Sequence, residues 1–171
     1  MTGEMDARDF KEFIRLGQFE KIERARVTGE VSFRGEEIPR NLRLLYVTFL
    51  GPVDFGDARI SGSLDLTGCW FGRTLSLSNA MIDGELILDD VVVESTAQNG
   101  KAGDYDRAVV GTALDASGLR VTGRLSGAFL SVVGFADFSH ARIDANAAFL
   151  AFEIRRSFAM SGLTVGGDLH L

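Results

Sequence analysis

An 11-residue repeat occupies most of this chain from residue 25 onward, with apolar side chains at offsets 0, 2, 6 and 8 of each copy. The clearest copies are ARISGSLDLTG from Ala58, CWFGRTLSLSN from Cys69 and AMIDGELILDD from Ala80. Offset 4 is often glycine, and offset 10 is often glycine, asparagine or aspartate, which are residues that tolerate the backbone angles of tight corners. Each copy therefore contains two short strand-like segments, and their strict repetition predicts a solenoid of stacked parallel coils rather than a series of hairpins.

The residues at offset 2 show how many copies make one coil. Taken at every second copy they form two series, Ile38, Ile60 and Ile82 in one and Val27, Phe49, Phe71 and Val93 in the other. Like residues stack on like residues when a coil has 22 residues and four short sides, because parallel strands about 4.8 Å apart align them in ladders. The sequence therefore predicts an all-β solenoid, a right-handed four-sided parallel β-helix of about six 22-residue coils, whose hand follows the general preference of parallel crossovers.

The segment before the first copy has a helical pattern. It covers residues 6–23 and begins with Asp6, a residue type suited to a helix N-cap. Apolar residues recur in it at helical spacing, at Phe10, Phe13, Ile14 and Ile22. An open solenoid end exposes apolar ladders and unpaired strand groups, so we expect residues 1–24 to form an N-terminal capping α-helix on a β-helix domain of residues 25–171.

A polar loop and an uncapped end complete the predicted domain. Residues 95–107 lack the apolar offsets, so we expect a loop that interrupts one coil, either as a tolerated insertion or as a binding loop. Its residues Asp104, Tyr105 and Asp106 are interaction candidates; the carboxylates here either bind a cation or simply solvate the loop. At the other end, Leu169 and Leu171 fall on inward offsets with no cap after them, so we expect this end to meet another chain, to continue in a longer parent protein or to aggregate.

Composition narrows the function further. The 18 basic and 24 acidic residues leave a net charge of −6, which disfavours bulk binding to nucleic acid or to an anionic membrane. No apolar run approaches the roughly 20 residues of a membrane span, and no signal-peptide pattern is present, so we expect a cytoplasmic protein. With one cysteine, two histidines and no catalytic or phosphate-binding motif, we expect no enzyme, cofactor or metal site.

Cys69 falls on an inward offset and is predicted to be a core thiol, whereas His140 and His170 should face solvent.

Three segments carry a family resemblance. ADFSHARI (Ala136–Ile143), DARISGSLDL (Asp57–Leu66) and GPVDFGDARI (Gly51–Ile60) resemble the pentapeptide-repeat family. The resemblance implies a four-sided right-handed β-helix with small residues and Leu or Phe pointing inward, although 11 residues replace the family's two pentapeptides. Some members of that family are dimers that mimic DNA and protect a type II topoisomerase. That role needs a strongly negative face, and here arginines alternate with the acids, at Arg26, Arg59, Arg73, Arg120, Arg124 and Arg142.

Apolar residues on outward offsets are the remaining interaction candidates. Trp70 and Met81 occupy offset 1, which otherwise holds mostly polar residues. The 22-residue coil predicts one column of Thr48, Trp70 and Val92 with Leu50 alongside. An exposed aromatic residue beside aliphatic ones is a usual anchor of protein interfaces, and the alternative is that the loop folds back over it.

These features favour a non-enzymatic structural scaffold that binds proteins. The first hypothesis is self-association through the open C-terminal end at Leu169 and Leu171, as a homodimer or a stack. The alternative is a monomeric module that binds a protein partner through the Trp70 face and residues 95–107. A third class, the carbohydrate-active β-helix enzymes, has longer and irregular coils and usually carries secretion signals.

Overall fold

The structure, a computed structural model, describes residues 3–17, 21–94 and 112–171. These ranges contain one α-helix, α1 (Ala7–Leu16), and 26 strands of two to four residues. In chain order the strands are β1 (Glu4–Asp6), β2 (Lys21–Glu23), β3 (Arg26–Thr28), β4 (Val31–Ser32), β5 (Glu37–Ile38), β6 (Leu42–Leu45), β7 (Thr48–Phe49), β8 (Val53–Asp54), β9 (Arg59–Ile60), β10 (Leu64–Asp65), β11 (Trp70–Phe71), β12 (Leu75–Ser76), β13 (Met81–Ile82), β14 (Leu86–Ile87), β15 (Val92–Glu94), β16 (Thr112–Asp115), β17 (Arg120–Val121), β18 (Leu125–Ser126), β19 (Ser131–Val133), β20 (Phe135–Asp137), β21 (Arg142–Ile143), β22 (Ala147–Ala148), β23 (Glu153–Ile154), β24 (Ser157–Ala159), β25 (Thr164–Val165) and β26 (Leu169–His170).

The strands form four parallel sheets, one on each side of a solenoid. Sheet 1 contains β1, β3, β7, β11, β15, β19 and β23; sheet 2 contains β4, β8, β12, β16, β20 and β24; sheet 3 contains β5, β9, β13, β17, β21 and β25; sheet 4 contains β2, β6, β10, β14, β18, β22 and β26. From β3 onward, consecutive strands along the chain lie in sheets 1, 2, 3 and 4 in turn, so every fourth strand returns to the same side. The predicted four-sided parallel solenoid is therefore confirmed.

The predicted coil length is also confirmed. Trp70 pairs with Thr48 in one direction and with Val92 in the other, each 22 positions away. Sheets 1 and 4 have seven strands, so the solenoid has about seven turns where the sequence predicted about six. The additional turn consists of β1 in sheet 1 and β2 in sheet 4, with α1 between them in place of two strands. It was missed because these two strands precede the first recognisable copy of the repeat.

One coil contains an insertion. Leu75 pairs with Leu114, which lies 39 positions later instead of 22. The 17 additional residues enter between Glu94 at the end of β15 and Thr112 at the start of β16, at the corner where sheet 1 gives way to sheet 2. The predicted loop of residues 95–107 falls within this insertion and lies outside the described residues.

The N-terminal helix covers the first end of the solenoid. Asp6 is its N-cap, because one carboxylate oxygen accepts hydrogen bonds from the backbone N–H groups of Arg8 and Asp9, at 2.8 and 2.9 Å. The ring of Phe10 is fully buried and packs edge-on against Phe49, with centroids 5.5 Å apart. The helix ends at Leu16, so Ile22, which fits the helical spacing, lies instead in strand β2 of sheet 4. The division of the chain at residue 24 stays a prediction.

The interior consists of stacked ladders of the inward residues. Phe33 stacks on Phe55 and Phe49 stacks on Phe71, with centroid distances of 5.2 and 5.0 Å. The residues at offsets 2, 6 and 8 are buried throughout the central coils. The core therefore runs along the whole axis of the solenoid as one continuous apolar cluster.

The corners at offset 10 have the backbone that the sequence predicts. Every described residue at that offset has a left-handed backbone; these residues are Gly35, Tyr46, Asp57, Gly68, Asn79, Asp90, Gly118, Phe129, His140, Ala151 and Gly162. At offset 4 most of the glycines do not have a left-handed backbone, so the reason predicted for glycine does not apply to them. A Cβ atom on Gly123 would lie 2.7 Å from the carbonyl oxygen of Gly84, so glycine there permits close stacking of successive coils.

The ladders predict a strong effect of charge in the core. We expect Leu66→Asp, at a fully buried position, to lower the free energy of unfolding by about 4 kcal/mol or more, because the carboxylate would have no partner. Urea denaturation followed by circular dichroism measures this change. Ser61→Asp, at an exposed position of the same coil, is the control and should change stability by less than about 0.5 kcal/mol. A Leu66→Asp protein that melts cooperatively within a few degrees of the parent would contradict the assigned core.

Candidate interaction surfaces

The outer face of sheet 1 brings together three of the predicted interaction residues. Trp70 lies between Thr48 and Val92 in neighbouring strands, as the predicted column requires, and Leu50 directly follows Phe49, the residue that pairs with Phe71. All four side chains are partly exposed. We call this group the Trp70 face. Its role in binding stays a prediction.

A glycine determines how the indole of Trp70 lies on this face. A Cβ atom on Gly72 would lie 2.5 Å from Cη2 of the indole, so the ring extends across the backbone of that glycine. The indole therefore covers the sheet instead of projecting from it. Arg26 of β3, which pairs with Glu4, precedes Thr48 in this sheet, and Arg155, which pairs with Glu153, directly follows β23, two strands beyond Val92.

Met81 lies on a different side of the solenoid from Trp70. Its neighbours in sheet 3 are Arg59 and Arg120, and its side chain is exposed. The two offset-1 candidates therefore do not form one surface. Consecutive copies of an 11-residue repeat within a 22-residue coil point to opposite sides, which separates Met81 from Trp70.

The last coil, β23 to β26, exposes residues that are buried in every earlier coil. Leu169 is 42% exposed and Leu171 is 63% exposed, whereas Ala147 and Phe149, their equivalents one coil earlier, are each 1% exposed. Other inward residues of this coil are only partly buried, namely Phe152, Ile154, Phe158, Met160, Leu163 and Val165. We call these eight residues the open end. Four strands at the edges of their sheets surround it.

Aromatic packing gives the open end a defined shape. Phe149 contacts Phe138, Phe152 and Phe158 edge-to-face, with centroid distances of 5.3, 6.0 and 5.5 Å. Such edge-to-face pairs contribute about 0.5–1.5 kcal/mol each beyond the area that they bury. The open end therefore lies on a packed cluster of aromatic rings.

Sequence reasoning missed an exposed apolar pair at the corner between sheets 4 and 1. Phe129 is 62% exposed and Leu150, one coil later, is 54% exposed. The backbone N–H of Phe129 donates to the carbonyl oxygen of Leu150 at 2.8 Å, which holds the two corners together. The signal was present in the sequence, because Phe129 falls at offset 10, where glycine, asparagine or aspartate is usual.

The remaining candidates are the loop residues, the cysteine and the two histidines. Asp104, Tyr105 and Asp106 lie outside the described residues. Cys69 is buried, as predicted, and its Sγ donates to the carbonyl oxygen of Leu44 at 3.0 Å. Burial raises the pKa of this thiol to about 12, so it stays protonated and is a poor nucleophile. His140 and His170 are exposed, as predicted.

Charges of both signs cover the outer sides of the solenoid. Four arginines that the sequence placed among acids lie 2.7 to 3.9 Å from a carboxylate, in the pairs Arg26–Glu4, Arg59–Asp83, Arg124–Glu85 and Arg142–Asp144. Exposed pairs of this kind contribute little stability, about 0–1 kcal/mol each.

Within the described ranges, no group of three or more His, Cys, Asp or Glu residues is arranged to hold a metal ion. None of the helical structure in those ranges is long and apolar enough to cross a membrane.

Comparison with known proteins supports the predicted resemblance. A family model described as pentapeptide repeats, in nine copies, matches residues 44–92. This segment runs from the end of β6 to the start of β15, and the same four sheets continue on both sides of it. No curated protein and no solved structure gives a significant match to the chain. The resemblance to pentapeptide-repeat proteins is confirmed for this segment, and so is the four-sided solenoid that it implied.

The left-handed backbone of Phe129, with φ of 57°, predicts that this residue reduces stability. We expect Phe129→Gly to raise the free energy of unfolding by about 0.5–1 kcal/mol, because glycine adopts this backbone without strain and the exposed ring packs little. Gly35→Ala is the matched control, since no atom would crowd the new Cβ at the same type of corner, and it should lower stability by about 1 kcal/mol. A destabilised Phe129→Gly protein would show that the ring contributes to the fold.

Burial of Cys69 predicts a protected thiol. We expect a thiol reagent at neutral pH to modify the native protein at least about 100-fold more slowly than the protein in denaturant, because reaction requires opening of the solenoid. Absorbance of the released chromophore measures both rates. Rapid stoichiometric labelling of the native protein would contradict the placement of this thiol.

Proposed function

We propose that this chain is a non-enzymatic scaffold that self-associates through the open end into a two-fold dimer. Pentapeptide-repeat solenoids are commonly protein-interaction scaffolds, and this chain has that fold. The observation that carries the finer proposal is the last coil, whose ladder residues Leu169 and Leu171 are exposed although their equivalents are buried in every earlier coil. Contact with a second copy would restore the burial that these positions have elsewhere.

The N-terminal helix supports a closed dimer over an open stack. Phe10 and Ile14 of α1 are buried, so the helix covers the apolar ladder of the first coil, and it takes the place of two of the four edge strands, leaving β1 and β2. Lys11 and Arg15 on this helix both pair with Glu36, which fastens the helix to the solenoid. An open end therefore finds no matching surface at the N-terminal end of another copy. Two open ends match each other, and such a self-complementary contact closes with two-fold symmetry.

The edge strands support the same arrangement. β23, β24, β25 and β26 are the last strands of their sheets, and their outer main-chain groups are available to a further strand. A two-fold axis through the open end would set strands of the two copies antiparallel, which is a favourable pairing. One contact would then bury the apolar ladders in the centre and hydrogen-bond the strand edges around them.

The Trp70 face supports the alternative, a monomeric module that binds a partner protein. Glu94, where the insertion leaves the solenoid, belongs to β15, the strand beside Trp70. A partner would contact the Trp70 face and residues 95–107 together. This alternative predicts binding without self-association.

Light scattering on a size-exclusion column tests the proposal over a hundredfold range of concentration. We expect a constant mass of twice 18.5 kDa for the parent. The double variant Leu169→Lys, Leu171→Lys should be a monomer, because the two-fold axis would bring like charges together in a desolvated contact. Its melting temperature extrapolated to low concentration should match that of the parent, since both side chains are exposed in a single copy.

Leu16→Lys is the matched control, because Leu16 is an equally exposed leucine at the opposite end, and it should stay dimeric. A parent that is monomeric at every concentration would overturn the proposal and favour the alternative. Mass that rises continuously with concentration would contradict two-fold closure. A dimer that survives the double variant would place the interface elsewhere.

A further inference from the structure

A column of long side chains runs along the outer face of sheet 3. Arg59, Met81, Arg120 and Arg142 occupy equivalent positions in four successive coils. Neighbouring members of such a column are about 4.8 Å apart along the solenoid, so each side chain is adjacent to the next. This face lies apart from the open end and from the Trp70 face.

Two of the three arginines in this column are neutralised by carboxylates of the same sheet. Arg59 Nη2 lies 3.0 Å from Asp83 Oδ2, and Arg142 Nε lies 2.7 Å from Asp144 Oδ1. Each aspartate is two positions after the column residue of its own coil. In the coil of Arg120 that position holds Thr122, so no carboxylate is supplied there.

Arg120 is therefore left without a charged partner in the part of the chain that the structure describes. Among the described residues its guanidinium makes no ion pair and no hydrogen bond, and the carboxylates on either side of it are already taken by Arg59 and Arg142. Arg120 lies between Met81 and Arg142 in the column. Its guanidinium supplies a positive charge, and the exposed Met81 supplies an apolar contact. Arginine beside an apolar side chain is a frequent combination in the energetically dominant part of protein interfaces.

These side chains line a groove of about 240 Å³, formed mainly by Met81, Asp83, Arg120, Thr122, Arg142 and Asp144. Sites for small molecules usually measure about 300–1,000 Å³, so this groove suits one or two side chains of a protein better than a metabolite. We propose that it binds an acidic side chain of a partner protein, with Arg120 donating to the carboxylate and Met81 packing against an adjoining apolar residue.

The charges around the groove favour a single carboxylate over a polyanion. Asp83 and Asp144 flank Arg120, and the chain as a whole has a net charge of −6. If a phosphate of a nucleic acid or of an anionic membrane bound to Arg120, these carboxylates would repel the neighbouring phosphates. One glutamate or aspartate needs only the one free guanidinium. The inference is independent of self-association, because no residue of the open end lines this groove.

Nuclear magnetic resonance with methyl-labelled methionine tests the inference. The probe is an acetylated and amidated peptide, Gly-Leu-Glu-Leu-Gly, compared with the same peptide carrying Gln in place of Glu. We expect the Glu peptide to shift the methyl signal of Met81 saturably and the Gln peptide to bind about five- to tenfold more weakly, the usual cost of losing one important charged contact. The other three methionines report on non-specific binding.

Two variants with a matched control locate the effect. Arg120→Gln should weaken the Glu peptide about five- to tenfold. Thr122→Asp should weaken it similarly, because it gives Arg120 a carboxylate at the spacing that joins Arg142 to Asp144. Arg155→Gln removes the same charge at a position directly after β23, away from the groove, and should leave binding unchanged. Unfolding temperatures should be within a few degrees of the parent, since all three positions are exposed.

Several results would overturn the inference. They are equal binding of the Glu and Gln peptides, unchanged binding by Arg120→Gln or Thr122→Asp, and no saturable shift of the Met81 signal. Equal displacement of that signal by inorganic phosphate would show a general anion site instead of recognition of an acidic side chain. A monomeric parent protein would overturn the proposed dimer and leave this inference standing.

Discussion

Main-chain pairing between coils, 22 residues apart, is the interaction on which the rest of this structure depends. Once each strand is hydrogen-bonded to its equivalent in the next coil, every inward side chain must stack on the side chain one coil away. The stacked pairs Phe33–Phe55 and Phe49–Phe71 show how closely this constraint is met. Each coil then depends only on its two neighbours, so the first and last coils differ physically from all others.

The first and the last coil terminate the solenoid in different ways. At the first coil, α1 replaces two strands and buries Phe10, which removes both the apolar ladder and part of the strand edge. At the last coil, Leu169 and Leu171 keep the inward positions but have no coil beyond them in the described chain. The described chain is therefore asymmetric, with a helix over the first coil and exposed apolar side chains on the last, and the proposed dimer rests on this difference.

The outer faces are free to vary because pairing and packing constrain only the backbone and the inward residues. Outer residues that depart from the repeat are therefore the best candidates for functional residues. Thr122 stands where the two neighbouring coils have Asp83 and Asp144, and Arg120 has no ion-pair partner among the described residues; Phe129 stands at a corner despite its left-handed backbone. Neither residue follows the pattern of the repeat, and each changes the outer surface of its coil.

The sequence by itself determined the coil length, the inward ladders, the buried Cys69 and the helical cap, because all of these follow from a periodic pattern of apolar residues. It did not reveal the turn built from β1 and β2, since these strands carry no repeat and are defined only by the sheets that they join. It also could not show that Arg120 lacks an ion-pair partner among the described residues. That depends on which carboxylates Arg59 and Arg142 already occupy, and the two aspartates concerned are 61 positions apart in the chain. Periodicity is local information, whereas the pairing of side chains from different coils exists only after the solenoid has brought them together.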